Sequence, residues 1–275
     1  MKIVNLIENT AGIDGCVPLH GLSFYVETLK HRILFDAGPS DAVLGNAERL
    51  GIDLKQVDVA VLSHGHYDHS GGFLEFAKIN PYATIYMQHK AGGEHYGYDG
   101  GEKGYRFIGI DKDLLKLPQV QLIDGDVRID DELSLFCVQE HKYQIPSTNA
   151  RIMQKVDGAY LPDDFQHEQS LYVRSGKDLA ILSGCAHSGI LNILEAFLQK
   201  FESENLPQKV ISGFHLLKKN GYEPSDFTEY KELARMLSNY PIDFYTCHCS
   251  GLEPFECMKA IIGEKLRYIR TGECV

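Results

Sequence analysis

The sequence has no run of about 18 apolar residues, and this absence excludes an ordinary membrane-spanning helix. Its first residues, MKIVNLIENT, alternate like a strand and lack the apolar core and small-residue cleavage site of a signal peptide. Seven cysteines, an odd number, without such a signal argue against a disulfide framework. We therefore expect a cytoplasmic protein that does not insert into membranes.

Positive charge is also scarce. The 275 residues include 27 Lys and Arg against 38 Asp and Glu, a formal net charge of −11. Broad nucleic-acid binding needs many phosphate-neutralising cations, so we expect no nucleic-acid partner. A small anionic substrate is still compatible with this charge, because bound metal ions reverse the local field. No linker-like composition divides the chain, so residues 1–275 are expected to form a single domain, and a homo-oligomer remains open.

What the sequence does contain is a dense group of metal-ligand residues in LSHGHYDHSGG, residues 62–72. His64, His66, Asp68 and His69 occupy four of six positions directly after the apolar run Val57–Leu62. Imidazole and carboxylate groups are preferred ligands of zinc and first-row transition metals. Residues two apart in an extended segment project to the same side, so His64 and His66 are predicted to hold one cation. Asp68 and His69 are then placed to hold a second.

The HxHxDH pattern and its small-residue turn resemble the signature of the metallo-β-lactamase superfamily. Within it, the segments SGCAHSGI (183–190), GFHL (213–216) and CHCSG (247–251) are similar to the branch related to 7,8-dihydropterin-6-methyl-4-(β-D-ribofuranosyl)aminobenzene-5′-phosphate synthase. The resemblance implies an α/β fold, a four-layer αββα sandwich, with metals at the sheet edges. It also implies two divalent metal ions, zinc before iron or manganese.

The remaining ligands are assigned through this resemblance. His187 is expected to join His64 and His66, and His248 to join Asp68 and His69. The resemblance implies that Asp36, at a strand end, supports residues 62–72, the metal loop, by hydrogen bonds. By position alone, Asp36 could equally cap its own turn.

The sequence leaves the roles of three side chains undecided. Cys185 stands where the superfamily at large has a bridging aspartate, so it is a ligand, a nearby thiolate or a buried filler. His167 precedes a hairpin and competes with His187 for the third position at the first metal. His215 is either a residue that contacts substrate and transfers protons or a hydrogen-bonded structural histidine.

Two segments are irregular in pattern. Residues 90–111 are rich in glycine and tyrosine, which predicts a long surface loop with Tyr96, Tyr105 and Arg106 as candidate substrate contacts. Residues 140–162 are predicted to be an irregular far wall of the cleft. Lys218 and Lys219 follow His215 and could meet a phosphate, although a solvated turn is the simpler interpretation.

These features predict a metal-dependent hydrolase. Two metals about 3.5–4 Å apart can hold a bridging hydroxide and clamp substrate oxygens. Asp68 would bind metal and orient the nucleophile, and His215 would protonate a leaving group or stabilise an oxyanion. The expected substrate is a small phosphoester or phosphodiester, pterin-like or nucleotide-like. The alternatives are a lactone or thioester hydrolase on the same centre, and a non-hydrolytic iron-binding or redox protein.

Overall fold

A computed structural model describes residues 1–201 and 205–275 of the chain. Its strands, in chain order, are β1 (Lys2–Ile7), β2 (Ser23–Glu27), β3 (Arg32–Phe35), β4 (Val59–Val61), β5 (Thr84–Gln88), β6 (His95–Tyr98), β7 (Tyr105–Phe107), β8 (Val120–Ile123), β9 (Val127–Arg128), β10 (Leu133–Phe136), β11 (Ile152–Val156), β12 (Ala159–Pro162), β13 (Ser170–Ser175), β14 (Asp178–Leu182), β15 (Lys209–Ser212), β16 (Asp243–Thr246) and β17 (Leu266–Tyr268). Its α-helices are α1 (Ala42–Arg49), α2 (Tyr67–Ser70), α3 (Phe73–Ile79), α4 (Ile190–Lys200), α5 (Pro224–Ser238) and α6 (Leu252–Ile262).

Two mixed sheets form the centre of the protein. The first has the order β1-β2-β3-β4-β5-β8 and the second β17-β16-β15-β14-β13-β10-β9. Strands β3, β4, β5 and β8 run parallel, as do β14, β15, β16 and β17. The inner strands β3, β4, β14 and β16 of these parallel groups are nearly all buried, as expected for strands covered on two faces.

The packing of the buried apolar side chains defines the layers of the fold. Residues of both sheets share one core, which includes Phe24, Phe35, Val61, Leu171, Leu182 and Ile211. Helices α1 and α3 cover the outer face of the first sheet through Val43, Ala47, Phe73 and Phe76. Helices α4, α5 and α6 cover the second through Ile193, Phe197, Tyr230 and Met258. The predicted αββα layering is therefore confirmed.

The expectation of a long loop over residues 90–111 was wrong. Strands β6 and β7 lie within it and pair with β11 and β12 in a four-stranded sheet of order β12-β11-β6-β7. Tyr96 faces Met153 across 57 residues of chain, so the pairing is non-local and leaves no periodic pattern in either segment. The same sheet organises much of residues 140–162, which were expected to be irregular.

Within residues 1–201 and 205–275, every helix is too short or too polar to cross a bilayer.

Candidate metal centre

The candidate ligands lie in the connections that follow parallel strands, with Asp68 and His69 inside the short helix α2. Asp36 follows β3, and the segment from Ser63 to His69 follows β4. Cys185 and His187 follow β14, His215 follows β15, and His248 follows β16. The carboxyl ends of parallel strands meet at one edge of a sheet, which is where open α/β sheets place their ligands. Residues up to 212 positions apart in the sequence thus converge in one place.

His64, His66 and His187 form one group. The ring centroids are 4.5 Å apart for His64 and His66, 4.9 Å for His64 and His187, and 5.0 Å for His66 and His187. All three are buried, and the Nε2 atom of each has no hydrogen-bond partner. Burial first, and the neighbouring imidazoles second, lower the pKa of all three rings well below the usual histidine value. The rings are therefore neutral, with buried nitrogens that a metal ion would satisfy.

The other ring nitrogens of this group are held by neighbours. Ser63 Oγ lies 2.8 Å from His64 Nδ1, and Asn149 Oδ1 lies 2.9 Å from His187 Nδ1. A carbonyl oxygen can only accept, so Asn149 fixes the His187 proton on Nδ1 and leaves Nε2 as the lone-pair donor. Such contacts set the tautomer that metal binding requires.

Asp68, His69 and His248 form a second group beside the first. His248 Nε2 lies 3.5 Å from Asp68 Oδ2, and the His69 and His248 ring centroids are 5.1 Å apart. Burial opposes ionisation of Asp68, but hydrogen bonding to His248 and the charge on His69 outweigh it and hold the pKa of Asp68 well below its usual range. Burial lowers the pKa of His248 to about 4. At neutral pH the pair is a carboxylate beside a neutral imidazole, the forms that bind metal.

Asp36 lies beneath both groups and is completely buried. Its carboxylate accepts hydrogen bonds from the Ser63 backbone N–H and hydroxyl, both at 2.7 Å, and from His69 Nδ1 at 2.6 Å. It therefore orients the metal loop, and its cap of a local turn is not its main contact. On the opposite side, His248 Nδ1 lies 2.8 Å from Asn9 Oδ1.

Cys185 lies between the two groups. Its Sγ is 3.2 Å from His69 Nε2 and is within 4.8 Å of a ligand nitrogen on each of His64, His187 and His248. Burial, followed by the neighbouring Cys249, raises the pKa of the Cys185 thiol well above its usual value.

His167 is close to His66, at 5.4 Å between ring centroids, but its ring nitrogens make different contacts from those of His187. The Gly65 backbone N–H donates to His167 Nδ1 at 2.9 Å. A neutral His167 must then carry its proton on Nε2, which lies 3.3 Å from an oxygen of Asp163 but, like Nε2 of His64, His66 and His187, has no hydrogen-bond partner. A protonated nitrogen cannot bind a metal, so this contact favours His187 as the third histidine. Asp163 also contacts His95 Nδ1 at 2.7 Å, and His66, His95, Asp163 and His167 form a further cluster of possible metal-ligand residues beside the centre.

The backbone at the centre takes an uncommon conformation. Asp36, Ala186, His215 and His248 have φ between +50° and +56°, the left-handed region that residues other than glycine rarely adopt. Such strain persists where the surrounding structure enforces it, and it is typical of functional sites. Here it turns the chain directly after four different strands and aims the neighbouring side chains at one point.

A cavity opens above the ligands, and His66, Asp68, Cys185, His187 and His248 reach it. His215 lies in its wall, with Nδ1 2.8 Å from the Thr148 hydroxyl oxygen. That hydroxyl donates its own hydrogen to the His215 carbonyl, so its oxygen accepts from Nδ1–H and leaves Nε2 as an acceptor. Burial, followed by His248, lowers the pKa of His215 to about 3.

The mouth of this cavity is basic. Arg106, Arg151 and Lys219 line it and surround Asp99, whose oxygens lie 3.0 Å from Arg106 Nε, 2.7 Å from Arg151 Nη2 and 3.5 Å from Lys219 Nζ. Three cations around one carboxylate leave a local excess of positive charge on an otherwise acidic protein. Lys218, the residue before Lys219, does not join this group, because its Nζ lies 2.6 Å from Asp226 Oδ1.

Tyr96 and Tyr105 do not reach the cavity, contrary to expectation. Side chains alternate along a strand, so Gly97 and Arg106 face the cavity while their neighbours face away. Tyr105 stacks on Tyr160 at 3.7 Å between ring centroids, and Tyr96 contacts the same ring edge-on at 5.0 Å. Both tyrosines pack the outer face of the four-stranded sheet.

Three residues that line the cavity were not predicted from the sequence. His20 Nε2 lies 3.4 Å from Asp68 Oδ2, and Tyr67 and Arg151 also line the wall. His20 and Arg151 stand alone in the sequence, outside any ligand cluster, so no local pattern marks them. Tyr67 lies inside the HxHxDH motif, and its place between two ligands could have indicated it.

Comparison with known proteins agrees with this geometry. The family profile of the metallo-beta-lactamase superfamily matches residues 16–149. The 7,8-dihydropterin-6-methyl-4-(beta-D-ribofuranosyl)-aminobenzene-5′-phosphate synthase of Methanocaldococcus jannaschii is 28% identical, with 100% of this chain and 96% of that protein covered. An uncharacterized protein of the same organism is 29% identical over 77% of this chain and 78% of its own.

Solved structures give the same result. A crystal structure described as a metal-dependent hydrolase of the beta-lactamase superfamily matches with a TM-score of 0.80 and 27% identity, covering 100% of this chain and 98% of that one. Zn²⁺-bound PqqB from Methylobacterium extorquens matches with a TM-score of 0.57 and 11% identity over 100% and 99% of the two chains, a likeness of fold alone. The predicted fold class is confirmed.

Proposed function

The chain belongs to the metallo-β-lactamase superfamily of metal-dependent hydrolases, and we propose that it uses two metal ions to hydrolyse a small phosphoester or phosphodiester. The observation that carries this proposal is the set of unpartnered, buried Nε2 atoms of His64, His66 and His187 beneath a cavity with a basic mouth. Buried polar atoms are nearly always satisfied, so three such nitrogens close together fit a site where a cation would be their partner.

The residues that would hold the metals form the two groups described above. His64, His66 and His187 would hold one divalent ion, and Asp68, His69 and His248 the other. Nitrogen-rich ligand sets with a carboxylate suit zinc best, with iron or manganese as alternatives. Bound there, the two ions would supply an activated water at neutral pH and neutralise charge on the substrate oxygens.

The cations at the mouth would select an anionic substrate. Arg106 and Arg151 present planar guanidinium groups, which pair with phosphate through two parallel hydrogen bonds, and Lys219 adds a mobile point charge. Asp99 holds all three in place, at distances of 2.7–3.5 Å. A phosphate on the substrate would dock here while the bond to be cleaved lies over the ligands. The name of the 28%-identical relative adds the pterin-like part of the proposal.

Asp68 and His215 would handle the protons of the reaction. Asp68 combines metal binding with a position in the cavity, where it can orient the attacking water. His215 keeps Nε2 as an acceptor through its contact with Thr148, so in this arrangement it would take a proton or accept a hydrogen bond from substrate. Protonation of a leaving group by His215, the role expected from the sequence, would require Nε2 to be protonated first.

A second candidate is a non-hydrolytic reaction at the same centre. The relative that covers the whole chain is named a synthase, which favours bond formation on a phosphorylated pterin-like compound. The basic mouth and the ligand set would serve both reactions, so the cavity alone does not separate them.

Cellular context and domain organisation complete the proposal. All seven cysteines are free thiols and four of them are buried, which suits the reducing cytoplasm. The core shared by both sheets supports one domain over residues 1–275.

The test is a substrate panel. Protein stripped of metal with a chelator and reloaded with zinc is assayed on p-nitrophenyl phosphate, bis-p-nitrophenyl phosphate and a series of lactones. Turnover of a phosphate compound that needs zinc and is lost in His187→Gln supports the proposal. Lactone turnover without phosphoester turnover would contradict it, as would full activity in the chelated protein.

A further inference from the structure

Among the described residues, Cys185 shares one cluster of possible metal ligands with His64 and His187 and another with His69 and His248. It follows β14 by three residues, with Ser183 and Gly184 between. We propose that the Cys185 thiolate bridges the two metal ions and is a ligand of both. The inference rests on the metal centre of the proposed function and adds a ligand that alters which metals the centre takes.

The distances support a shared ligand. Cys185 Sγ, with ligand atoms of His64 and His187, forms one set within 4.8 Å, and with those of His69 and His248 forms another. Two ligands of one tetrahedral zinc, with Zn–S about 2.3 Å and Zn–N about 2.0 Å, lie roughly 3.5 Å apart. The 3.2 Å between Cys185 Sγ and His69 Nε2 is close to that spacing.

The proton positions point the same way. His69 contacts Asp36 through Nδ1, so in the neutral ring the Nε2 lone pair faces the Cys185 sulfur. The Nε2 atoms of His64 and His187 have no hydrogen-bond partner. If Cys185 were only a buried filler, its thiol would donate a hydrogen bond to His69 Nε2, and the two Nε2 atoms of His64 and His187 would stay without a partner. Two cations flanking the sulfur would satisfy all of them, with loss of the thiol proton to solvent.

The backbone on either side of Cys185 fixes the position of its sulfur. A Cβ on Gly184 would lie 2.2 Å from Ser63 Oγ, so only glycine lets this loop approach the metal loop closely. Ala186, on the other side of Cys185, has φ +51°. These two constraints fix the direction in which Cys185 points.

A bridging sulfur has a chemical consequence. Thiolate is a soft ligand that favours zinc, cobalt and iron over manganese and magnesium, which prefer oxygen. Replacing Cys185 with aspartate keeps a monoanionic side chain able to bridge but makes the centre harder. Cys185→Asp should therefore shift the metal preference toward manganese.

The experiment uses cobalt as an optical probe. Metal-free protein is titrated with Co²⁺ while the near-ultraviolet thiolate-to-cobalt charge-transfer band and the bound cobalt are measured. The wild type should bind two equivalents, and the band should grow with both of them. Cys185→Ser should lose the band and bind both equivalents at least about tenfold more weakly. Cys185→Asp should lose the band but retain both equivalents.

Cys249→Ser is the matched control. Cys249 is buried beside Cys185, with its sulfur 3.7 Å from the Cys185 carbonyl oxygen, and it also lines the cavity. This variant should keep the band. Thermal unfolding of each metal-free variant checks that the substitution leaves the fold intact, and Cys185→Asp supplies the answer if Cys185→Ser does not fold.

The outcomes separate the bridge from the proposed function. Two bound equivalents without a band would overturn the bridge and leave the hydrolase proposal standing. A band that grows with one equivalent only, or loss of a single equivalent in Cys185→Ser, would overturn the bridge as well. A wild-type protein that binds no cobalt would overturn both.

Discussion

His69 Nδ1 lies 2.6 Å from Asp36 Oδ2, with both side chains completely buried. Burial disfavours a charged imidazole, but the Asp36 carboxylate outweighs burial and raises the pKa of His69. The contact holds the proton on Nδ1 and turns Nε2 toward the centre. Asp36 thus acts on the metal site through His69 and Ser63 without being placed to bind metal itself.

Replacing Asp36 with asparagine should weaken metal binding. The Asn amide N–H₂ would face His69 Nδ1 and favour the tautomer protonated on Nε2, which cannot bind metal. We expect a loss of about 10–100-fold in metal affinity, measured by competition with a chromophoric chelator. Asp53→Asn is the control, because the exposed Asp53 side chain caps a short turn and accepts hydrogen bonds from the Lys55 N–H and Gln56 Nε2. Equal affinity in Asp36→Asn and wild type would contradict this role.

His187 and His167 should respond differently to the same substitution. His187→Gln removes a proposed ligand and should cost one equivalent of bound zinc, measured by elemental analysis after dialysis. His167→Gln should keep both equivalents, because the Gly65 N–H donates to His167 Nδ1 and so fixes the proton of the neutral ring on Nε2, which then cannot bind metal. The reverse pattern would show that His167 is the third ligand.

The basic mouth should control substrate affinity more than turnover. Loss of one charge-assisted hydrogen bond costs about 1.5–3 kcal/mol, so Arg151→Ala or Arg106→Ala should raise KM for a phosphorylated substrate by about tenfold or more. Lys103→Ala, an exposed cation in the connection between β6 and β7, should leave KM unchanged. A fall in kcat at constant KM would argue against a docking role for the arginines.

Gly184 should be intolerant of a side chain. The new Cβ of Gly184→Ala would press on Ser63 at 2.2 Å, and overpacking of this kind costs about 1–3 kcal/mol in the free energy of unfolding. Gly45→Ala in α1 is the matched control, since nothing lies within 4 Å of its Cβ and alanine favours a helix. Denaturant unfolding of the two variants should move in opposite directions; similar midpoints would contradict the close approach.

His31 should make stability depend on pH. Its ring contacts Asp58 and, at 2.7 Å, Asp130, and these carboxylates outweigh burial and raise the pKa of His31. A raised folded-state pKa stabilises the protein fully below the unfolded value of about 6.5, and this is lost as the pH rises through the folded-state pKa. His31→Ala should therefore destabilise the protein by about 1–2 kcal/mol at pH 6 and by less at pH 9. The same loss at both pH values would show that charge is not involved.

The parts of the centre that the sequence predicts are those encoded locally. The four ligand-type residues of the HxHxDH segment stand beside a buried strand, so their pattern alone predicts a metal loop. His187 and His248 come from distant strand ends, and only the resemblance to a family connected them. For the basic mouth, the sequence indicated Arg106 and, as one of two interpretations, Lys219, but it did not indicate Arg151 or the grouping of all three around Asp99, because folding brings together segments up to 120 residues apart. The four-stranded sheet was not predicted for the same reason, because β6 pairs with β11, which is distant in the sequence.

The tautomer of each histidine could not be predicted at all. His167 and His187 are the same residue type near the same loop, and they differ only in whether Gly65 N–H or Asn149 Oδ1 meets the ring. That difference depends on atomic positions, which no spacing rule contains.

The most direct test of the two-metal centre is anomalous X-ray scattering at the zinc edge, measured on crystals of zinc-loaded protein. We expect two peaks about 3.5–4 Å apart, one flanked by His64, His66 and His187 and the other by Asp68, His69 and His248. A single peak, or a peak surrounded by His95, Asp163 and His167, would contradict it.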